Sequence, residues 1–148
     1  MKVIFLDFNG VLDTYSNMDE INNDNLNRLK KIVLATNSKI VISSSLKNHY
    51  YYTGTIGKRL MYIIKVLETN NIEVIGLTPL ADSREDEIKQ YLDEHSDIEN
   101  YCIIDDDYDM PNLKDHLIKL IPQQYGGNGL EDKNILEAIN ILNKRKVL

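Results

Sequence analysis

The sequence contains a single cysteine and no long hydrophobic run. One cysteine excludes a disulfide framework and a zinc site built from cysteines. Cys102 lies in the apolar stretch 101–104, so we expect it to pack in the core. No apolar stretch approaches the ~20 residues of a membrane span, and strand-like sequence begins directly at the N-terminus. We therefore expect no signal peptide, no membrane contact and a cytoplasmic location.

Basic residues are also in deficit, because 17 Lys and Arg against 23 Asp and Glu give a formal charge of -6. This balance disfavours a protein that coats nucleic acid in general, because such proteins usually carry a basic face. It allows a local basic rim around an acidic, metal-filled pocket. With 148 residues, of which 43% are hydrophobic and 27% charged, the chain suits one globular domain over residues 1–148, and we expect a monomer.

The most informative segment is the N-terminal run. Residues 3–6 are apolar, Asp7 follows directly, and Gly10 marks a turn. The run has the composition of a buried strand, so Asp7 is expected at the carboxyl end of that strand, where open α/β sheets bind ligands. A carboxylate there can hold a cation or attack an electrophile. Asn9, two residues further on, carries an oxygen but no proton to exchange.

Apolar periodicity alternates between strand and helix patterns along the chain. Strands are predicted at 3–6, 39–42, 72–77, 101–104 and 117–121, and helices at 24–36, 58–70, 83–95 and 131–142. The expected cap of the first helix is Asn23 or Asp24. Because strands that alternate with helices imply right-handed crossovers, we predict an α/β fold with a mainly parallel five-stranded sheet and helices on both faces.

Polar residues follow three of the predicted strands. Asp7 and Asn9 follow the first, the serines at 43–45 the second, and the aspartates at 105–109 the fourth. The carboxyl ends of parallel strands share one edge of the sheet, so these side chains are expected to meet. Clustered carboxylates repel each other and stay protonated unless a cation neutralises them. Oxygen ligands without a nearby histidine favour Mg²⁺.

A site of this kind suits phosphoryl transfer, in which a nucleophilic carboxylate works beside Mg²⁺ and a cation offsets the charge of the phosphate oxygens. The hydroxyls of Ser43 and Ser44 can donate to a phosphate oxygen. Arg84 and Lys89 are the candidate cations, since both lie near the start of the helix at 83–95. Arg84 is in the first turn, close to the expected pocket mouth, and Lys89 lies one turn deeper. The sequence leaves both open.

A response-regulator receiver also combines an acidic pocket, Mg²⁺ and a phosphorylated aspartate. A receiver needs its acidic pair after the first strand, its phospho-acceptor after the third and a lysine after the fifth. In this chain the acidic pair follows the fourth strand, and only Leu-Thr-Pro at 77–79 follows the third. The order of the motifs therefore disfavours a receiver.

Taken in order, the clusters resemble the haloacid dehalogenase (HAD) superfamily of hydrolases that form an aspartyl-phosphate. Its motifs are Asp-x-Asp-x-(Thr/Val) after the first strand, a Ser or Thr after a second strand, a later basic residue, and an acidic pair after a further strand. The matching residues are 7–11, Ser43 or Ser44, Arg84 or Lys89, and Asp105 with Asp106. The segments 42–47, 83–88 and 104–110 are also similar to the small HAD domains of Swiss Army Knife RNA repair proteins.

The resemblance implies a three-layer Rossmann-like fold without a large cap domain, and a Mg²⁺-dependent phosphohydrolase. It implies that Asp7 is the nucleophile and a metal ligand, and that Asp105, Asp106 and the main-chain carbonyl of Asn9 also bind the metal, with Asp109 as a further pocket carboxylate. The side chain at position 9 would be the general acid and base, and here Asn9 departs from the pattern. Because general acid–base catalysis contributes ~10²–10⁴-fold, the alternative is a weak or silent module that binds metal or phosphate.

The absence of a cap insertion predicts an open pocket, which suits a phosphate displayed on a macromolecule, either a nucleic-acid end or a phosphoprotein. The residues 49–52 read His-Tyr-Tyr-Tyr and lie near Lys47, Lys58 and Arg59. Two interpretations are open for this segment. Together with these three cations it stacks bases or holds backbone phosphates, or its tyrosines form a half-buried loop that covers the edge of the sheet.

Overall fold

The computed structural model describes residues 1–145. Its strands are β1 (Lys2–Leu6), β2 (Lys39–Ile42), β3 (Val74–Leu77), β4 (Asn100–Asp105) and β5 (Leu117–Lys119). All neighbouring strands run parallel, in the order β3-β2-β1-β4-β5. The first strand is therefore central, and the carboxyl ends of all five strands lie at one edge of the sheet. The predicted parallel five-stranded sheet is confirmed.

The helices are α1 (Asn23–Thr36), α2 (Asn48–Thr53), α3 (Lys58–Thr69), α4 (Arg84–Glu94) and α5 (Asp132–Leu142). Buried residues of α1, α3 and α5 join one hydrophobic cluster, whereas α4 joins a second cluster on the other face of the sheet. The structure is therefore a three-layer Rossmann-like α/β fold. No cap domain is inserted within the part of the chain that the structure describes.

The sequence of the central strand β1 is continuously apolar because both of its faces are buried. Val3 and Phe5 belong to the cluster beneath α4, and Ile4 and Leu6 belong to the opposite cluster. All four are almost fully buried, and burial of one such side chain is worth about 1.5–3 kcal/mol. Because both faces of β1 are anchored in this way, the position of the next residue, Asp7, is fixed.

Side-chain caps fix the first turns of α4 and α1. Ser83 accepts a hydrogen bond from the backbone N–H of Asp86 at 3.0 Å and caps α4, whose first turn is acidic. Each such cap is worth about 1 kcal/mol, and it fixes Arg84 at the first turn. The cap of α1 is Asn22, which accepts from Asn25 N–H at 3.0 Å, so the prediction of Asn23 or Asp24 was wrong by one or two residues.

Two further expectations concern burial. Cys102 is completely buried in the core cluster, and burial raises the pKa of its thiol, so its predicted packing role is confirmed. None of the helices between residues 1 and 145 is both long and apolar enough to cross a membrane.

Candidate active site

Three carboxylates meet at the carboxyl edge of the sheet. One oxygen from each of Asp7, Asp105 and Asp106 lies within 4.8 Å of the others. The juxtaposition follows from the register, because Leu6 is paired with Ile104 and the Asp7 N–H donates to the Ile104 carbonyl at 3.2 Å. Strand pairing thus brings together residues almost one hundred positions apart, roughly as expected for parallel strand ends.

The electrostatics of this cluster favour a bound cation. Burial, followed by the charge of Asp105, raises the pKa of Asp7 to about 7. The same two causes raise the pKa of Asp106 to about 6, and burial raises the pKa of Asp105. Asp105 Oδ2 is also buried without a hydrogen-bond partner among residues 1–145. An oxygen-only cluster with a free, buried ligand atom fits Mg²⁺.

Arg84 supplies the positive charge of the site. Its Nη1 lies 3.7 Å from Asp105 Oδ2 and donates to the Ser43 carbonyl, and its guanidinium lies 4.8 Å from the centre of the Tyr108 ring. The structure thus brings Arg84 to the carboxylates. Lys89 is half-buried further along α4 and does not line the pocket. Asp109 does not line it either, because its side chain is 84% exposed and pairs with Lys119 at 2.6 Å.

A buried ion pair holds Arg84 in place. Glu87 Oε1 lies 3.4 Å from Arg84 Nε and accepts a hydrogen bond from Lys47 Nζ at 2.9 Å. Lys47 is only 1% exposed, and its burial lowers the pKa of its ammonium group. The interpretation of Lys47 as a surface contact for backbone phosphates was therefore wrong. No local pattern predicts that Lys47 is buried in an ion pair, because its partner Glu87 is 40 residues away in the sequence.

The two predicted serines differ in their surroundings. Ser44 lines the pocket, and its Oγ accepts from Leu46 N–H at 3.2 Å, which leaves its own hydroxyl hydrogen free to donate. Ser43 Oγ is buried and has no hydrogen-bond partner in the described chain, and Ser43 contributes its carbonyl to Arg84. Ser44 is therefore the serine whose hydroxyl is available to a ligand in the pocket.

The side chain of Asn9 belongs to a hydrogen-bond network that sequence reasoning missed. Its Nδ2 donates to Asp13 Oδ2 at 3.0 Å and to Asp19 Oδ1 at 2.7 Å. Asp13 is fully buried and also accepts from Gly10 N–H at 2.6 Å and from Gln123 Nε2 at 2.9 Å. Asp13 therefore joins the turn after Gly10 to a segment 110 residues away.

Gly10 allows Asp106 to approach this turn. Its φ of +80° lies in the left-handed region, and a Cβ added to it would lie 1.8 Å from Asp106 Oδ2. No side chain can therefore occupy position 10 while the Asp106 carboxylate keeps its place. The glycine read from the sequence as a turn signal is also a packing requirement of the acidic cluster.

We expect Gly10→Ala to lower the free energy of unfolding more than Gly126→Ala. The two positions have similar backbone conformations, with φ of +80° at Gly10 and +84° at Gly126. At Gly126, however, no atom lies within 4 Å of the Cβ position. Gly126→Ala should therefore cost only the backbone strain of about 1–2 kcal/mol, and Gly10→Ala about 1–3 kcal/mol more from the clash. Urea denaturation measures both. Equal losses would contradict the close packing of Asp106 against the turn.

The segment after the serines forms the short helix α2, and neither open interpretation had foreseen a helix. Tyr51 donates its hydroxyl to the Thr78 carbonyl at 2.9 Å, at the end of β3, whereas Tyr52 is exposed. The Arg59 guanidinium lies 5.1 Å from the centre of the Phe8 ring. None of these residues lines the pocket, so base stacking by the tyrosines of α2 stays a prediction.

The pocket formed at this edge has a volume of about 240 Å³. Its lining includes Asp7, Asn9, Ser44, Arg84 and Asp106, together with Tyr108 and Gln123, which the sequence did not single out. The volume is below the ~300–1,000 Å³ typical of sites that enclose a small molecule. A pocket of this size accommodates a phosphate group and leaves the remainder of a larger substrate outside.

Comparison with known proteins identifies a family. A family model described as the HAD domain in Swiss Army Knife RNA repair proteins matches residues 3–134. No curated protein and no solved structure matches the chain. The matched range contains all of the side chains that form the acidic cluster, the Arg84 network and the Asn9 network.

Proposed function

The chain belongs to the family of HAD domains of Swiss Army Knife RNA repair proteins, and from this membership we propose that it is a Mg²⁺-dependent phosphohydrolase with Asp7 as its nucleophile. The observation that carries the proposal is the meeting of Asp7, Asp105 and Asp106 beside the buried Arg84. A HAD domain points to phosphohydrolase chemistry, and this cluster has the charges and ligands that such chemistry needs.

The proposed metal site consists of Asp7, Asp105 and Asp106, with the main-chain carbonyl of Asn9 as a further ligand. The donors are all oxygens, and Asp105 Oδ2 is buried without a hydrogen-bond partner in the described residues, which fits a hard cation. When bound, Mg²⁺ offsets the negative charge of the carboxylates and of the phosphate oxygens. Glu87 and Lys47 hold Arg84 in place, so that its guanidinium needs no rearrangement to contact the substrate.

In the proposed reaction, Asp7 attacks the phosphorus atom of a phosphate monoester. Asp7 Oδ1 accepts the Phe8 N–H at 2.8 Å, so Oδ2 is the oxygen that is free to form the bond. The bond from phosphorus to the ester oxygen breaks, and its electron pair leaves with that oxygen, which takes a proton from solvent. Water then attacks the phosphorus of phospho-Asp7 and releases a proton to solvent, so that inorganic phosphate leaves and the carboxylate is restored. Arg84 and Ser44 are the donors for the phosphate oxygens.

A second candidate function is a phosphate-binding module with little or no turnover. The observation that favours it is the engagement of Asn9, whose amide donates to Asp13 and Asp19. This amide carries no exchangeable acidic proton, so the leaving oxygen receives none from position 9. Both candidates share the same metal site and differ only in turnover.

The proposed substrate is a phosphate displayed on a macromolecule, because the pocket of about 240 Å³ holds a phosphate group but not the body of a metabolite. The fold also has no cap over the pocket among residues 1–145. The phosphate-bearing end of a long chain can enter such an open pocket, whereas a free sugar phosphate would find few contacts beyond the phosphate itself.

We expect Mg²⁺ at about one hundred times its Kd to raise the melting temperature by roughly 5–10 °C, since such binding stabilises a protein by about 2.7 kcal/mol. Asp106→Asn should reduce the response strongly, although the metal-free variant should not be less stable, because an amide removes the repulsion from Asp105. The control Asp109→Asn changes a carboxylate that lies outside the pocket, so it should respond like the unaltered protein. Differential scanning fluorimetry measures all three. An equal response of all three proteins, or none, would refute the metal site.

A further inference from the structure

The side chains that line the pocket are poor proton donors. Amides, alcohols and a guanidinium supply most of the lining, namely Asn9, Ser44, Ser45, Arg84, Gln123 and Gln124, and none of these groups is an acid near neutral pH. Of the three lining carboxylates, Asp7 and Asp106 belong to the proposed metal site, and Asp107 is exposed. The oxygen that leaves the phosphorus therefore departs without a proton from a dedicated acid.

The acidity of the leaving group decides which esters react readily under this condition. The hydroxyl of a phenol such as tyrosine has a pKa of about 10. The hydroxyl of serine or ribose is a much weaker acid, so its alkoxide departs far less readily. An alkyl ester would forgo the ~10²–10⁴-fold that a general acid contributes. The lining of the pocket thus favours the phosphate ester of a phenol.

Tyr108 provides an aromatic surface at the place where such a phenol would lie. It lines the pocket, is 42% exposed, and has its ring centre 4.8 Å from the Arg84 guanidinium. In an aryl phosphate a single oxygen separates the phosphorus from the ring, so a phosphate bound by Arg84 brings its ring close to Tyr108. Two aromatic rings at such a distance attract each other in offset or edge-to-face arrangements, and the exposed part of Tyr108 is available for this contact.

The charges of the pocket disfavour a phosphoanhydride, which also reacts without a proton donor. The leaving phosphate of an anhydride is charged before the bond breaks, so it needs a cation of its own. Arg84 is the one lysine or arginine that lines the pocket among residues 1–145, and the proposed reaction uses it for the transferred phosphate. The exposed charged residue of the lining, Asp107, is acidic. An aryl group is neutral and needs no second cation.

We propose that the substrate is an aryl phosphate monoester and that Tyr108 determines this specificity by contact with its ring. The inference rests on the proposed function and deepens it, since it assigns the ester class of the same site. Asp7 forms the bond to phosphorus, the bond from phosphorus to the phenol oxygen breaks, and the electron pair leaves on a phenolate that takes its proton from solvent. Phosphotyrosine is the form in which a protein displays such an ester. A nucleic-acid end carries an alkyl ester and reacts slowly.

The experiment measures kcat/KM for a phosphotyrosine peptide, the matched phosphoserine peptide, a 5′-phosphorylated oligonucleotide and pyrophosphate. The phosphotyrosine peptide should exceed both alkyl esters by about 10²–10⁴-fold and should also exceed pyrophosphate. Free phosphotyrosine distinguishes two sources of the same chemistry. A value equal to that of the peptide assigns a small aryl phosphate, a lower value assigns a phosphoprotein, and either result supports the ester class.

Variants of Tyr108 test the contact with the ring. Tyr108→Leu should reduce the ratio of kcat/KM for phosphotyrosine to kcat/KM for phosphoserine by about 2- to 10-fold, the worth of one aromatic pair, and Tyr108→Phe should retain the ratio. The ratio cancels any disturbance of Arg84, because Arg84 serves both phosphates. Tyr62→Leu removes an exposed tyrosine of α3 outside the pocket, and Asp107→Asn removes the exposed lining carboxylate. Both controls should leave the ratio unchanged.

The inference is overturned if either alkyl ester is hydrolysed within about tenfold of phosphotyrosine, if pyrophosphate is the better substrate, or if Tyr108→Leu leaves the ratio unchanged. A selective loss of alkyl ester hydrolysis in Asp107→Asn would identify Asp107 as a proton donor and would also overturn it.

Binding of the two peptides to Asp7→Asn, measured by calorimetry, supplies a readout that needs no turnover. If the unaltered protein hydrolyses nothing, but Asp7→Asn prefers the phosphotyrosine peptide and the added Tyr108→Leu abolishes the preference, the proposed hydrolysis fails and the ester class stands. If both peptides are hydrolysed at similar rates and bound alike, the hydrolysis stands and the ester class fails. Neither stands if there is no hydrolysis and no preference.

Discussion

Replacing Asp7 with asparagine is expected to lower kcat/KM for p-nitrophenyl phosphate by at least about 10⁴-fold, because loss of a nucleophile typically removes most of an enzyme's rate enhancement. The amide has nearly the shape of the carboxylate, and its oxygen can still accept the Phe8 N–H. It cannot form the bond to phosphorus. The fold should persist, since the substitution also removes a charge that is crowded by Asp105.

The matched control for this variant is Asp107→Asn. Asp107 lines the same pocket but is exposed and lies outside the cluster of three carboxylates. It should retain activity within a few-fold. If Asp7→Asn keeps substantial activity in preparations where Asp107→Asn behaves normally, the reaction uses direct attack by water, and the assignment of Asp7 as nucleophile is wrong.

The change Asn9→Asp is expected to raise hydrolysis of alkyl phosphates by ~10²–10⁴-fold, the usual contribution of general acid catalysis. Hydrolysis of aryl phosphates should rise much less, because a nitrophenolate leaves without a proton and an alkoxide does not. The carboxyl introduced at position 9 would face Asp13 and Asp19, whose oxygens now lie 3.0 and 2.7 Å from Asn9 Nδ2. Like charges at this distance favour its protonated form, the form that a general acid needs.

Because Asp13 and Asp19 surround position 9, the control for Asn9→Asp is a second substitution at Asp19. Asn9→Asp alone loses two hydrogen bonds of the loop and adds a carboxylate against two others, so it should also lower the melting temperature. Combination with Asp19→Asn supplies an amide that can donate to the new carboxyl and should recover stability. Steady-state rates on a matched alkyl and aryl pair separate chemistry from stability. If the ratio of the two rates is the same before and after the change, position 9 has no role in proton transfer.

Much of the site could be predicted from the sequence because its parts lie at strand ends. An apolar run that stops at Asp7 and another that stops at Asp105 identify neighbouring carboxyl ends in a parallel sheet, and the structure brings both to one cluster with Asp106. The helix predicted at 83–95 begins where the structure places α4, because Ser83 caps it. The choice between Arg84 and Lys89 depended on which side of α4 faces the sheet, and only the packed structure gives that orientation.

The remaining parts of the site depend on contacts that leave no local pattern. Lys47 and Glu87 are each ordinary charged residues in sequence, and their buried pairing arises only when the chain after β2 packs against α4. Asp13 and Gln123 meet across 110 residues. The helix α2 escaped prediction because it has six residues and buries none of them, so it shows no apolar periodicity.

Trapping of the covalent intermediate tests the central claim most directly. The unaltered protein is mixed with Mg²⁺ and a phosphate-labelled aryl phosphate, whose leaving group needs no proton, then quenched in acid, digested, and analysed for a phosphoryl group on the peptide that contains Asp7. Because Asn9 offers no base to the water that attacks the intermediate, phospho-Asp7 should accumulate, should require Mg²⁺, and should be absent from Asp7→Asn. Steady hydrolysis without a phosphoryl group on Asp7 at any quench time would contradict the mechanism.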